Sequence, residues 1–235
     1  MSAKTIVVSG ASKGIGRAIV LKFAAAGYAV AVCARNQDDL KQLEQEVSAV
    51  SSRKDHLFVS ADVRQKAELN AFAKAILVQW PAIDILVNNA GVFIPGQVIH
   101  EHEGTLEQLI ETNVYSAYHL TRALLPNIQK PGGSIFNMCS IASLQAYANG
   151  GSYSISKFAL LGFSKALREE LKPMGVKVTA VMPGATKTDS WKGSDLPDDR
   201  FIAANDIGKL IFDLVQLSPT ADVEEVTIRP LPGDI

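Results

Sequence analysis

Cysteine is scarce in this chain: there are two, Cys33 and Cys139, with no CxxC or Cys/His spacing around either. Both sit in apolar, strand-like runs and read as reduced core thiols, which excludes a disulfide framework or a zinc site. Cys139 adjoins Ser140, which suggests a nucleophile, but His100 and His102 follow no known pairing with it. The four histidines have no ligand spacing, so no metal is expected. Charge of one sign is also missing: 23 Lys and Arg against 24 Asp and Glu leave a net −1. With no Lys/Arg run, the chain lacks the electrostatic footprint of a nucleic-acid or anionic-membrane partner. The apolar stretches are too short or too interrupted to span a bilayer. The start, Met1-Ser2-Ala3-Lys4 leading into Thr5-Ile6-Val7-Val8, has no signal-peptide layout. No repeat, low-complexity tract or linker is present. The expectation is a cytoplasmic protein whose 235 residues, 47% hydrophobic and 20% charged, form one domain over 1–235.

Short apolar runs alternate with helical spacing almost throughout. Runs at 5–8, 29–34, 57–61, 83–88, 134–139, 176–181 and 225–228 read as strands. The segments 15–26, 38–48, 65–80, 106–125, 152–171 and 206–217 read as helices. Strands without polar alternation belong to a parallel sheet covered on both faces. The fold class is therefore α/β, a doubly wound sheet. One polar excursion containing Pro and Gly, 187–200, separates a strand from a helix. Such a loop lies at the carboxyl ends of the strands, where ligands bind, and its composition suggests a mobile lid over substrate.

Tyr153-Ser154-Ile155-Ser156-Lys157 carries the strongest chemical signal. Residues four apart on a helix share a face, so Lys157 can hold an ammonium near the Tyr153 phenol. A nearby cation favours phenolate and lowers the phenol's pKa. A tyrosine tuned in this way can exchange a proton with an alcohol or carbonyl oxygen. The same pair also occurs on ordinary solvated helix faces, so the rest of the chain has to decide.

Ser9-Gly10-Ala11-Ser12-Lys13-Gly14-Ile15-Gly16 follows the first strand and opens the first helix. Glycines there permit a tight turn and close approach to a pyrophosphate, whose charge the helix N-terminus meets. The spacing G-x-x-x-G-x-G is neither GxGxxG nor a P-loop, and a plain flexible turn is the alternative. The second strand ends Val32-Cys33-Ala34-Arg35-Asn36. No acid is there to accept a ribose 2′-hydroxyl, and Arg35 and Lys13 can both reach a 2′-phosphate. Two solvated surface charges are the bland reading; their coincidence favours NADP(H). Asp62, followed by Val63 after the third strand, could accept from the adenine amino group. Asn88-Asn89-Ala90-Gly91 sets small residues where backbone must pass the cofactor.

In these motifs the chain resembles the short-chain dehydrogenase/reductase family, from the glycine turn to the last strand. The resemblance implies a single-domain Rossmann fold of about seven strands. Ser9 stands where threonine is usual, and Asn88–Gly91 matches the motif that steadies the central sheet. It further implies a catalytic set of Asn113, Ser140, Tyr153 and Lys157. Tyr153 would be the general acid/base, Ser140 the donor to the developing alkoxide and Lys157 the holder of the nicotinamide ribose. Asn113 would bind a water linking Lys157 to solvent. Pro183, Gly184, Thr186 and Thr188 match the loop holding the nicotinamide carboxamide.

The substrate implied is a small carbonyl compound or alcohol; Phe93, Ile94, Tyr147, Met182 and Trp191 are candidate pocket residues by position and suggest an apolar one, with ordinary core or lid packing the alternative for each. Asn149-Gly150-Gly151-Ser152 looks like 3-oxoacyl-carrier-protein reductases, but Met174 stands where those usually carry a basic residue. The ending, residues 223–230, looks more like members acting on small hydroxy acids, amino-acid side chains or pteridines. A non-catalytic NADP(H) sensor is an alternative of another class; a nucleotide-sugar epimerase would need a larger substrate domain. Helices 106–125 and 152–171 carry more apolar residues than one buried face needs, Phe158, Leu161 and Phe163 among them. The family assembles through these helices, so a homodimer or homotetramer is expected.

Overall fold

The computed structural model describes residues 4–128, 131–191, 193 and 195–233. The described residues form a seven-stranded sheet in which neighbouring strands all run parallel. Its strands are β1 (Thr5–Ser9), β2 (Ala29–Ala34), β3 (Leu57–Ser60), β4 (Ile85–Asn88), β5 (Ser134–Met138), β6 (Lys177–Pro183) and β7 (Glu225–Ile228). Their order is β3-β2-β1-β4-β5-β6-β7, so the winding reverses between β1 and β4. Every residue of β1, β2, β4 and β5 is buried, the condition that removes polar alternation from a strand.

Side chains still alternate between two cores, as the pleat requires. Ile6 and Val8 face a core shared with α1 (Gly14–Ala25), α2 (Gln37–Val50) and α7 (Ala204–Val215). Val7, between them, faces the opposite core. That second core takes Phe72 and Ile76 of α3 (Lys66–Gln79), Leu120 of α5 (Ser116–Leu124) and Leu167 of α6 (Gly151–Leu171). The sheet and its helices thus form one doubly wound unit, as the sequence pattern indicates. Among the described residues, no helix is long and apolar enough to cross a membrane.

One expected helix differs. Instead of running unbroken over 106–125, the chain forms α4 (Thr105–Ile110), a wide π turn at Glu111–Tyr115, then α5. Asn113 sits inside that wide turn, with its side-chain amide matched to both backbone groups of Val92. Such one-turn widenings insert a residue into the helical ladder and recur at functional sites.

A buried polar seam ties the strand ends to the helices behind them. Asn88 Nδ2 donates to Thr121 Oγ1 at 2.9 Å and to Asn137 Oδ1 at 2.8 Å. Asn137 Nδ2 in turn donates to Ser164 Oγ at 2.8 Å. These buried side-chain bonds tie β4, β5, α5 and α6 together.

Candidate active site

At the winding reversal a cleft of about 650 Å³ opens over the carboxyl ends of the strands. Ser9 closes β1 at its edge, and the Ser9 hydroxyl accepts from the backbone N–H of Asn89 and of Ala90. Asn89 Nδ2 returns two bonds, to Ser9 O at 3.1 Å and to Gly10 O at 2.7 Å. Gly10 has φ +65°, and a Cβ there would come 2.6 Å from Ala90 Cα, so only glycine fits. Gly16 does not line the cleft as expected: a Cβ on it would meet Asn89 Nδ2 at 2.5 Å, which makes it a packing residue.

Gly10, Ser12, Lys13, Gly14 and Ile15 all line the cleft. The N-terminus of α1 has no side-chain cap and no acid in its first turn. Its backbone N–H groups are thus left for an anion, whereas Asn36 caps α2 by accepting from Asp38 and Asp39.

The basic rim differs from its sequence reading. Arg35 lines the cleft and is exposed. Lys13 Nζ, however, lies 2.8 Å from Asp39 and 3.9 Å from Asp189, and the bond to Asp39 holds its ammonium pKa up. Asp62 and Val63 also line the cleft. The Asp62 carboxylate is already engaged by Arg64, through Nη2 at 2.6 Å and Nε at 3.1 Å, which lowers its pKa. Asp62 therefore meets any incoming donor as a paired group.

Across the cleft lie Ser140, Tyr153 and Lys157. Ser140 follows β5 with extended backbone and its hydroxyl accepts from Ala142 N at 3.1 Å. Tyr153 stands in the first turn of α6, its ring edge-on to Phe93 with centroids 4.9 Å apart. Lys157, buried one turn later, donates from Nζ to Met138 O at 2.8 Å. Its Nζ lies 5.7 Å from the Tyr153 ring centroid.

The electrostatics correct one expectation. The Tyr153 pKa is raised, because burial outweighs the hydrogen bond from Ser140 that favours phenolate. Burial also pulls the Lys157 ammonium down to about 8. Burial pushes the Cys33 thiol up to about 12 and raises that of Cys139, which leaves both as poor nucleophiles.

Asn113 does not face the cleft directly. It bonds to both backbone groups of Val92 and to Ser156 Oγ at 2.9 Å. A Cβ on Gly91 would lie 3.3 Å from Asn113 Oδ1 and 3.5 Å from Lys157 Nζ, so glycine at 91 leaves room for both groups. Asn89, Ala90 and Gly91 line the cleft, as do Pro183, Gly184, Thr186 and Thr188.

Of the expected pocket residues, Phe93, Tyr147 and Trp191 line the cleft; Ile94 and Met182 do not, and Met182 packs in the core. Burial pushes the Tyr147 phenol up to about 12. Lys192 and Ser194 of the 187–200 segment lie outside the described residues. The segment is anchored at its base, where Lys187 N donates to Ile202 O at 2.9 Å, and Trp191 packs on Phe201. Sequence reasoning missed Asp39, Gln108 and Gln145, which also line the cleft. Asp39 was findable as an acid in the first turn of α2, two residues beyond the start of that helix. The two glutamines carry no sequence signal.

Among the described residues no cluster of His, Cys, Asp or Glu could hold a metal ion. A tyrosine, serine and lysine sharing a cleft with a glycine turn define a dinucleotide-dependent oxidoreductase class. The sequence model for short chain dehydrogenases matches residues 4–198, and the chain belongs to that family. It is 30% identical to the sepiapterin reductase of Chlorobaculum tepidum, over 98% of this chain and 97% of that one. The alcohol dehydrogenase of Thermococcus sibiricus complexed with 5-hydroxy-NADP superposes with a TM-score of 0.88 at 26% identity, covering 98% and 97% of the two chains. A Burkholderia cenocepacia short chain dehydrogenase in complex with NADP gives the same TM-score and identity, covering 97% and 96%.

Proposed function

We propose that this protein is an NADP(H)-dependent oxidoreductase interconverting a small carbonyl compound and its secondary alcohol. The observation carrying this reading is that Ser140, Tyr153 and Lys157 open into the same cleft as the uncapped N-terminus of α1. The Thermococcus and Burkholderia structures with bound NADP-type cofactors support it.

The residues present fit such a cofactor. The first turn of α1, with Gly10, Ser12, Gly14 and Ile15, would hold the pyrophosphate. Arg35, with Lys13 once released from Asp39, would hold the 2′-phosphate. Val63 and the Asn89–Gly91 backbone would flank the adenosine side and the nicotinamide ribose, while Pro183, Gly184, Thr186 and Thr188 would hold the carboxamide. Bound there, a nicotinamide cofactor would supply or accept the hydride.

The chain's own groups manage the proton. In reduction Tyr153 Oη gives its proton to the carbonyl oxygen as negative charge grows there, and Ser140 Oγ donates a hydrogen bond to the same oxygen. A phenol whose pKa is raised by burial stays protonated at neutral pH, as a donor must. The Lys157 ammonium, close to its titration range, can restore the phenol's proton. The 187–200 segment, with Trp191 at the cleft, would close over substrate. Two free, buried thiols suit a cytoplasmic enzyme.

Titration with NADPH and NADH, followed by a panel of ketones that includes sepiapterin, tests the reading. NADPH should bind tighter and some ketone should turn over. Tyr153→Phe should cut turnover by at least about a hundredfold while leaving NADPH affinity within a few-fold. Tight NADPH binding with no turnover of any carbonyl or alcohol would instead support a cofactor sensor.

A further inference from the structure

Residues 92–101 follow β4; Val92 and Phe93 line the cleft, and Gly96 and Gln97 lie beside the start of α6. Asn113 holds Val92 by both backbone groups, and Phe93 packs edge-on to Tyr153. Further on, Gly96 N donates to Asn149 O at 3.0 Å and Gln97 Nε2 to Asn149 Oδ1 at 3.3 Å. Asn149 adopts φ +58°, the left-handed region that asparagine tolerates better than most residues with a side chain. The backbone then turns, with His100 N and Glu101 N both donating to Gln97 O.

That turn delivers the Glu101 carboxylate to the first turn of α6. Oε1 accepts from Ser152 N at 2.8 Å, and Oε2 accepts from the Ser152 hydroxyl. The slot it occupies is built of glycine. A Cβ on Gly96 would come 2.7 Å from Glu101 Cγ, and one on Gly151 would come 2.1 Å from Oε1. Meanwhile the 21-residue α6 has no acid in its own first turn, and its N-cap, Gly150, offers no side chain. Glu101 thus supplies from a distant segment the negative, hydrogen-bonding group that a helix start favours.

We propose that Glu101 is a positioning residue for Tyr153, fixing the first turn of α6 through its paired bonds to Ser152. The inference rests on the reading of Tyr153 as proton donor. Tyr153 directly follows Ser152, so any slack in that turn moves the phenol relative to Ser140. Misplacement of about 1 Å can cost on the order of a hundredfold in rate. Cofactor contacts at α1 and in the loop after β6 lie on other elements, and Lys157, one turn further along α6, keeps its own bond to Met138 O, so cofactor affinity should change little.

The test compares Glu101→Ala and Glu101→Gln in the full chain, using NADPH affinity, steady-state kinetics on a ketone that the wild type reduces, and thermal melting. Glu101→Ala should lose about tenfold or more in kcat, with NADPH Kd within about twofold. Glu101→Gln keeps an acceptor for Ser152 N and should recover most of the rate. A kcat for Glu101→Ala within about twofold of wild type would overturn the proposal. So would a loss shared by both variants that tracks NADPH affinity and melting temperature. If the wild type reduces nothing, the reading of Tyr153 fails by itself. Amide exchange at residues 152 and 153 then decides the clamp: faster exchange in Glu101→Ala retains it, and unchanged exchange removes it.

Discussion

The Lys13 ammonium lies 2.8 Å from the Asp39 carboxylate, at the end of the cleft where a 2′-phosphate would bind. Both groups are partly open to solvent, so a doubly charged phosphate can compete for the lysine, though against an acid that also repels it. Asp39→Asn should remove the closer of the two carboxylates on Lys13, with Asp189 still 3.9 Å away, and tighten NADPH binding by about threefold to tenfold at low salt, with a smaller gain at high salt. NADH affinity should not change. Fluorescence titrations with both cofactors at two ionic strengths check this; equal gains for both would mean Lys13 does not read the phosphate.

The buried ammonium of Lys157 predicts a pH limit. With its pKa lowered to about 8, the reserve proton behind Tyr153 is present below that value and lost above it. NADPH-dependent reduction should therefore be flat on the acid side and fall as pH rises through about 8. In Lys157→Arg the guanidinium does not titrate, and the slower residual activity should lack that break. The same shift acts on folding. Because the folded-state pKa is depressed from 10.5, the unfolded chain binds the proton better between about 8 and 10.5. The stability contributed by this group is complete above 10.5 and is lost as pH falls through about 8, which urea melts across that window should reveal.

Association of subunits is the third expectation. Of the apolar residues on α6 expected to be surplus, Leu161 is buried and Phe163 packs partly against the core, whereas Phe158 is 46% exposed. Ile155, one turn earlier, and Tyr115 beside α5 are exposed as well. Ile155 and Phe158, three residues apart on α6, share a face that a second copy of the chain would cover. We propose a homodimer or homotetramer. Sedimentation should give a mass of at least two chains, and Phe158→Glu should lower it; a monomeric wild type would remove the proposal.

Much of the fold was legible because its signals are local. Fully buried strands read as unbroken apolar runs, and β2 and β7 begin and end where their residues indicated. Tyr153 and Lys157 are one helical turn apart, so their proximity follows from the helix alone. The π turn around Asn113 was not legible, since the groups that favour it belong to Val92, 21 residues earlier. The capture of Asp62 by Arg64, two residues on, could have been read locally and was not.

By itself the sequence determined the order of strands and helices, the glycine turn and the spacing of Ser140, Tyr153 and Lys157. Each of these depends on neighbours along the chain and on the period of one element. Tertiary structure alone decided which charges stay available and which way the phenol titrates. Asp39 reaches Lys13, Glu101 reaches Ser152 and burial raises Tyr153 only after the sheet has brought distant segments together. Ion pairing and desolvation act through space over a few ångströms, and sequence separation does not record that distance.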